Sequence, residues 1–326
     1  MKILATVHWY VPHHNGGAEV MLHSMLRALV TRGHEVTVLE SRLPLNSSYK
    51  HDGYTIDGIR VLPHDDRDDM PDEMSKCDVV ITHLENTARS VILARWMGKP
   101  CFVVNHNDHE NTRAFSGDQD LIQVYNSEWM RDELQPVPDW LVVRPPIFTK
   151  EYRTTPGDRV TLINLSAEKG AEVFYALAER MPDASFLGVV GAHGDQIIRT
   201  DLPNVEIVKH VGPKKMKAAV YSRTRVLLMP SVYESWGRCA VEAMASGIPV
   251  LAHPTNGLSE ALGAAGNFAD RDDLGEWETA LRRLLDGRTW RAASRRALAR
   301  SAELDALREA DLAAWCAAVE EYGGHV

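Results

Sequence analysis

The chain has 326 residues, 44% of them hydrophobic, and a formal net charge of −9. That length exceeds what one hydrophobic core fills, so two α/β domains are expected and a disordered protein is excluded. The first 150 positions hold 15 basic and 21 acidic residues and the rest 21 and 24, so neither half offers a broad basic field for nucleic acid or anionic lipid.

Met1-Lys2 and the apolar run after it read as a first strand rather than a leader, because a charged n-region and a small-residue cleavage site are missing. No stretch approaches the roughly 18 consecutive apolar residues of a membrane span. Cys77, Cys101, Cys239 and Cys316 are scattered, without a Cys-x-x-Cys pair or histidines at zinc spacing, and a reducing cytoplasm is the simplest setting.

Short β-branched runs alternate with amphipathic stretches, the pattern of parallel sheets wrapped by helices. Strands are predicted at Lys2–Trp9, Glu35–Leu39, Cys77–Thr82, Cys101–Asn105, Leu121–Tyr125 and Leu141–Arg144. Between the first two lies Asn15-Gly16-Gly17-Ala18-Glu19, opening an amphipathic helix that ends near Arg32-Gly33. Glycines at a helix start let a phosphate approach unpaired backbone amides, and Gly16 and Gly17 fit that role and an ordinary strand-to-helix turn equally well. Neither a Gly-x-Gly-x-x-Gly fingerprint nor a phosphate loop is present, which weakens hydride transfer and ATP hydrolysis. The acidic run Asp65 to Asp69 reads as a solvated surface loop. His106 follows a strand and, by itself, fits a loop-organising residue; His83, His109 and Glu110 give weaker signals. A metal reading of His106-x-x-His109-Glu110 lacks the helical context it needs.

Arg144 to Asp158 is rich in breakers and is predicted to link the domains. Strands follow at Val160–Leu165, Ser185–Val190, Arg225–Met229 and Pro249–Ala252, and from Asp273 onward only helices are predicted. The Arg-rich stretch from Arg282 to Arg300 has the Leu and Ala spacing of a packed amphipathic element. After strand Arg225–Met229, Pro230 ends the strand, Ser235 to Gly237 begin a helix, and Gly247-Ile248-Pro249 closes it. At about 1.5 Å rise per residue, Glu242 lies roughly 7–8 Å down that helix while Glu234 stays at its mouth. Ionised carboxylates accept from paired hydroxyls, so this spacing suits a sugar at Glu234, a ribose at Glu242 and a diphosphate between them.

These residues resemble the large retaining glycosyltransferase family 4, whose fold is called GT-B and whose signature is two glutamates separated by seven residues. Pro230-Ser231, Glu234-Ser235-Trp236-Gly237 and Glu242 to Val250 carry the likeness, and Asn256-Gly257-Leu258-Ser259-Glu260 resembles the family's Gly-Gly-x-x-Glu turn. Gly16-Gly17-Ala18-Glu19, Arg32 to Val36, Cys77 to Val80 and Glu168-Lys169-Gly170 fall where the family has like residues, so the similarity spans nearly the whole chain.

The resemblance implies two Rossmann-like domains with parallel sheets facing a central cleft: 1–150, which binds the acceptor, and 151–304, which binds the nucleotide sugar. A C-terminal helix near 305–326 is expected to return to the first. It implies catalytic roles for His106, Lys169 and Glu234, with Lys169 neutralising the departing diphosphate. Donor binding falls to Gly16, Gly17, Asn164, Lys169, Ser235, Trp236, Gly237 and Glu242, and the acceptor side to His106 and Asp108 along the wall from Asn105 to Gln119. The activity implied is retaining, metal-independent transfer of a hexose from a UDP- or GDP-sugar to an acceptor hydroxyl, with no cofactor. The excess acid in the first half favours a soluble acceptor over a membrane lipid.

Two positions depart from the family. Asn164 stands where an arginine is usual, so either Lys214, Lys215 or Arg144 supplies the lost charge or donor binding is weaker. Arg144-Pro145-Pro146-Ile147 replaces the usual Asn-Gly-Val-Asp. A nucleotide-sugar epimerase on the same fold and a catalytically silent nucleotide-sugar binder are the competing readings.

Overall fold

The computed structural model describes residues 1–41, 52–63, 69–135, 138–192 and 194–324. The chain forms two units, Met1–Pro146 with the segment from Arg308 onward, and Ile147–Leu307. The expected acidic loop at Asp65 to Asp68 lies outside the described residues; Asp69 begins the helix Asp69–Ser75.

The first unit is built on β1 (Lys2–Val7), β2 (Glu35–Glu40), β3 (Tyr54–Ile56), β4 (Ile59–Pro63), β5 (Val79–His83), β6 (Cys101–Asn105), β7 (Ile122–Tyr125) and β8 (Trp140–Val142). They form one sheet in the order β3-β4-β2-β1-β5-β6-β7-β8. All neighbours run parallel except the β3–β4 hairpin. Every residue of β5, β6 and β7 is buried, as expected of central parallel strands covered by helices on both faces. The hairpin turns at Asp57-Gly58, both at positive φ (48° and 80°), the geometry of a two-residue turn that keeps the strands' right-handed twist.

The second unit is a six-stranded sheet in the order β11-β10-β9-β12-β13-β14, all parallel. Its strands are β9 (Arg159–Ile163), β10 (Phe186–Val189), β11 (Val205–Val208), β12 (Thr224–Met229), β13 (Val250–Ala252) and β14 (Asn267–Phe268). The helices Leu274–Leu285 and Gly287–Gly323 end the chain. The first buries Trp277, Leu281 and Leu284, and in the second Ala293 and Ala297 of the Arg-rich stretch are buried. The last part of the second helix belongs to the first unit. There Trp315 is fully buried, its indole N–H donates to the Met25 carbonyl at 3.2 Å, and its ring meets Phe102 edge-on at 5.3 Å.

All ten predicted strands form, most with shifted ends and Cys101–Asn105 with the predicted ones. β1 stops at Val7, and β8 runs Trp140–Val142 because the residues before Pro145-Pro146 leave the ladder early. Four strands were not predicted: β3, β4, β11 and β14, of five residues or fewer, three of them sheet edges and β4 next to one, with weak burial alternation. Among the described residues no helix is long and apolar enough to cross a membrane.

Candidate active site

In the second sheet the connections run outward in opposite directions from β9 and β12, which are adjacent and parallel. Loops leaving the carboxyl ends of two such strands diverge and open a crevice, the usual ligand position in open α/β sheets. The loops after β9 and β12 carry Lys169 and Glu234, and Lys169 Nζ reaches Glu234 Oε1 at 2.6 Å. Ser231 Oγ donates to the same oxygen at 2.9 Å. The ion pair is only partly buried, with side-chain exposures of 30% and 15%, so it remains open to exchange with a polar ligand.

Arg271, which the sequence did not single out, fixes this geometry. Its guanidinium donates to the carbonyls of Ala167, Glu168 and Pro230, and Val232 N donates to the Glu168 carbonyl at 3.0 Å. One side chain therefore staples the Lys169 loop to the Glu234 loop. Gly170 sits at φ 86°, and a Cβ there would lie 2.3 Å from Pro230 Cγ, so only glycine allows the loops this approach.

Gly237, at φ 91°, caps the helix Arg238–Met244. Gly257 lies beneath the Glu234 loop, where a Cβ would fall 2.2 Å from the Glu234 carbonyl oxygen. Gly257→Ala must therefore push the loop backbone outward. We expect a fall of a few degrees in Tm, the response to roughly 1–3 kcal/mol of overpacking, and an accompanying loss of activity; melting curves and steady-state kinetics check both.

Glu242 is 6% exposed. Tyr221 Oη donates to its Oε2 at 2.7 Å, and Arg238 Nη2 approaches Oε1 at 3.4 Å. Burial raises its pKa above the usual carboxylate value, opposed by Arg238, by the hydrogen bond from Tyr221 and by Tyr152. Cys239 lies within the field of this whole group: burial, then Glu242 and Glu234, push its thiol up to about 12. Two further donors, Trp236 Nε1 and Arg238 Nη1, are buried without a hydrogen-bond partner among the described residues. Buried donors of this kind are normally satisfied, and here they adjoin the two glutamates.

Asn164 is a turn residue. It adopts φ 73°, which asparagine tolerates better than most residues, and its Oδ1 accepts from Ser166 N at 3.1 Å and Gln196 Nε2 at 2.8 Å. A Cβ on Gly191 would lie 2.3 Å from its Cγ. An arginine would be strained by this backbone. The expectation that Arg144 supplies the replacement is corrected. Its backbone N–H and guanidinium bind Asp311, and Nη2 reaches Glu128 at 2.8 Å, so its charge holds the terminal helix within its own unit. Lys214 and Lys215 stand exposed on the helix Pro213–Ala219.

In the first sheet the order reverses between β1 and β5. Three histidines gather at the carboxyl ends of β1, β5 and β6. His83 Nδ1 meets His106 Nε2 at 3.0 Å, and the His8 and His83 rings are 6.0 Å apart. Asn126 Nδ2 fixes the His106 backbone by donating to its carbonyl at 3.1 Å. Burial lowers the pKa of His106 to about 3, with His8 adding to the effect, and drives His83 well below its ordinary value. Both rings are therefore neutral. His83 Nε2 is buried without a hydrogen-bond partner among the described residues. A proton there would be a stranded N–H, so we assign it to Nδ1, from which it donates to His106 Nε2. The proton of His106 then sits on Nδ1, which makes His106 a hydrogen-bond donor and a poor general base.

His8 is likewise lowered by burial, against the pull of Glu85. Groups with depressed folded pKa values stabilise the fold above their unfolded value, and that contribution is lost as pH falls. Melting temperature should therefore decline on acidification from about pH 6.5, and His83→Asn should flatten the decline; a Tm series against pH checks this.

Gly16 caps the helix Gly17–Thr31 from an extended conformation, without a side-chain cap. Asp108 pairs with Arg113 at 3.2 Å, and Asn107 Oδ1 accepts from His109 N and Thr112 Oγ1, so this stretch is an ordered turn into the helix Glu110–Ser116. Among the described residues no group of three His, Cys, Asp or Glu side chains is placed to hold a metal ion.

Comparison with known proteins bears on both units. The family model described as Glycosyltransferase Family 4 matches residues 15–143, and that described as Glycosyl transferases group 1 matches residues 161–287. D-inositol 3-phosphate glycosyltransferase of Paenarthrobacter aurescens is 29% identical over 188 residues, 51% of this chain and 46% of that protein. Its counterpart from Corynebacterium kroppenstedtii is 39% identical over 90 residues, 26% of this chain and 20% of that protein. The chain thus aligns with less than half the length of these curated relatives. Sucrose-phosphate synthase from Thermosynechococcus elongatus shares the fold with a TM-score of 0.76 at 16% identity, covering 98% of both chains. Anabaena HepE, solved in complex with UDP-glucose, does so with a TM-score of 0.71 at 16% identity over 100% of both. With a GT-B fold and both halves matched by family models, the chain belongs to glycosyltransferase family 4.

Proposed function

We propose that this protein transfers a hexosyl group, with retention of configuration, from a nucleotide-diphosphate sugar to an acceptor hydroxyl. The observation that carries this reading is the Lys169–Glu234 pair at the switch point of the second sheet, beside the buried Glu242. A sugar hydroxyl would take the place of Lys169 on Glu234, freeing the ammonium to meet the charge that develops on the leaving diphosphate. Glu242 would accept from the ribose diol, and the unpartnered Trp236 and Arg238 donors suit an acceptor-rich phosphate. The backbone amides of Ser235, Trp236 and Gly237 face the sugar or diphosphate in the same reading, and Gly16 and Gly17 are assigned to donor binding. The acceptor hydroxyl attacks from the face that the nucleotide leaves, and a diphosphate oxygen takes its proton. His106 supports this step by donating a hydrogen bond to a hydroxyl, with Asp108 on the acceptor side. No metal or cofactor enters this scheme, and we place the reaction in the cytoplasm.

UDP-glucose, bound by the HepE structure, is the first donor to test, with GDP-mannose as the guanine counterpart; an inositol phosphate, named for the curated relatives, is the first acceptor. Mass spectrometry of reactions with and without acceptor separates the possibilities. Transfer, or slow donor hydrolysis without acceptor, supports the reading. Conversion of the donor to an isomer indicates an epimerase, and a thermal shift without turnover a silent binder. Glu234→Ala should reduce kcat/KM roughly tenfold or more, the loss of one or more charged hydrogen bonds.

A further inference from the structure

Glu242 presents a problem that its proposed role makes acute. A carboxylate this deeply buried tends to take up a proton, and a protonated carboxyl becomes a donor that competes with the ribose hydroxyls for acceptors. The groups packed around it come from three elements. Tyr221, fully buried at the turn leading into β12, donates to Oε2 at 2.7 Å. Tyr152, at the end of the helix Thr149–Tyr152, lies edge to face against Tyr221 and joins it in opposing the rise of the Glu242 pKa. From the same helix as Glu242, Arg238 approaches Oε1 at 3.4 Å and Cys239 contributes a buried thiol.

The two phenols are set as a pair, with ring centroids 6.0 Å apart and edge to face. Both positions are fixed from outside: Ser246 Oγ donates to the Tyr152 carbonyl at 3.0 Å, and Tyr221 packs within the core that lines the helix Arg238–Met244. A phenol beside a buried carboxylate stays protonated; burial and the Glu242 charge raise the pKa of both tyrosines. Each is therefore a permanent donor, whereas a water or a flexible serine could reverse its role.

We propose that Tyr221 and Tyr152 are positioning residues for donor binding, two fixed donors that keep Glu242 a hydrogen-bond acceptor aimed at the ribose. This rests on the reading of Glu242 as the ribose-binding carboxylate. Neither tyrosine need touch the ligand. Their effect runs through one carboxyl group, and it is greatest at low pH, where that group would otherwise be protonated.

The test is calorimetric binding of UDP and of GDP between pH 5 and 8 to the full chain and to Tyr221→Phe, Tyr152→Phe and Glu242→Gln. Glu242→Gln supplies the background titration of the nucleotide phosphates, since its amide does not ionise. The wild type should lose affinity as pH falls through the Glu242 ionisation. Tyr221→Phe should move that midpoint upward by about one pH unit, so that binding weakens by up to about tenfold below the wild-type midpoint and changes little well above it, the loss of one hydrogen bond to a charged group. Tyr152→Phe should move it in the same direction and carries the test by itself if Tyr221→Phe fails to fold. Midpoints that stay at the wild-type value in both variants, even with uniformly weaker binding, overturn the proposal. Wild-type binding of neither nucleotide, or undiminished binding by Glu242→Gln, overturns the ribose reading on which it rests.

Discussion

Lys169→Ala is expected to lower kcat/KM for the nucleotide-sugar donor by about 10²–10³, mostly in kcat, the scale of removing one preorganised charge from a developing anion. Lys169 lies 2.6 Å from Glu234, and the Arg271 staple holds both of their loops, so the ammonium is placed before the ligand arrives. With Asn164 turned inward and Arg144 bound to Asp311 and Glu128, neither can take over the charge. Removing Lys169 also frees Glu234 for the sugar, which limits any rise in KM and confines the loss to the chemical step. Steady-state kinetics check this: a rise in KM with unchanged kcat would mean that Lys169 serves ground-state binding alone.

Glu242→Gln should have opposite effects on binding and on stability. Donor affinity should fall by roughly tenfold or more, because the amide offers an N–H where the ribose presents another donor. Stability at neutral pH should rise, by a few degrees in Tm for about 1 kcal/mol, because the substitution removes a desolvated charge while keeping the shape. The sign follows from the direction of the pKa shift. A carboxyl whose folded pKa lies above its unfolded value binds more protons when folded, so its contribution to stability is present at low pH and is lost as pH rises through the folded pKa. Wild type and Glu242→Gln should therefore melt closer together in acid and separate as pH rises. A Tm series for both proteins, with calorimetric donor binding at neutral pH, measures the two effects.

Both sheets were legible because central parallel strands are apolar on both faces and read as short continuous β-branched runs, as in Val79 to Thr82 and Cys101 to Val104. The β3–β4 hairpin carried a readable signal, Asp57-Gly58 between Ile56 and Ile59, yet strands of three and five residues gave too little alternation to frame it. Glu234 and Glu242 could be singled out because they follow a recognisable strand and a breaker, and Lys169 through the family resemblance of Glu168-Lys169-Gly170; local order places Lys169 after β9 and the two glutamates after β12. Their supporting residues could not. Tyr152 and Tyr221 converge on Glu242 from 90 and 21 positions away, and Arg271 staples loops about 40 and 100 positions distant. Such contacts depend on which strands become neighbours, and no periodicity in the sequence records that. Asn164 was legible as a missing charge, but its left-handed backbone and its bond to Gln196 appear only in three dimensions.

The most direct test is a donor-only and donor-plus-acceptor reaction, followed by mass spectrometry, with wild type, Glu234→Ala and Glu242→Ala across a panel of UDP- and GDP-sugars. The wild type should release nucleoside diphosphate from at least one donor and transfer its sugar, and both variants should be slower by roughly tenfold or more. Turnover by both variants at the wild-type rate would contradict the assignment of the two glutamates to the donor.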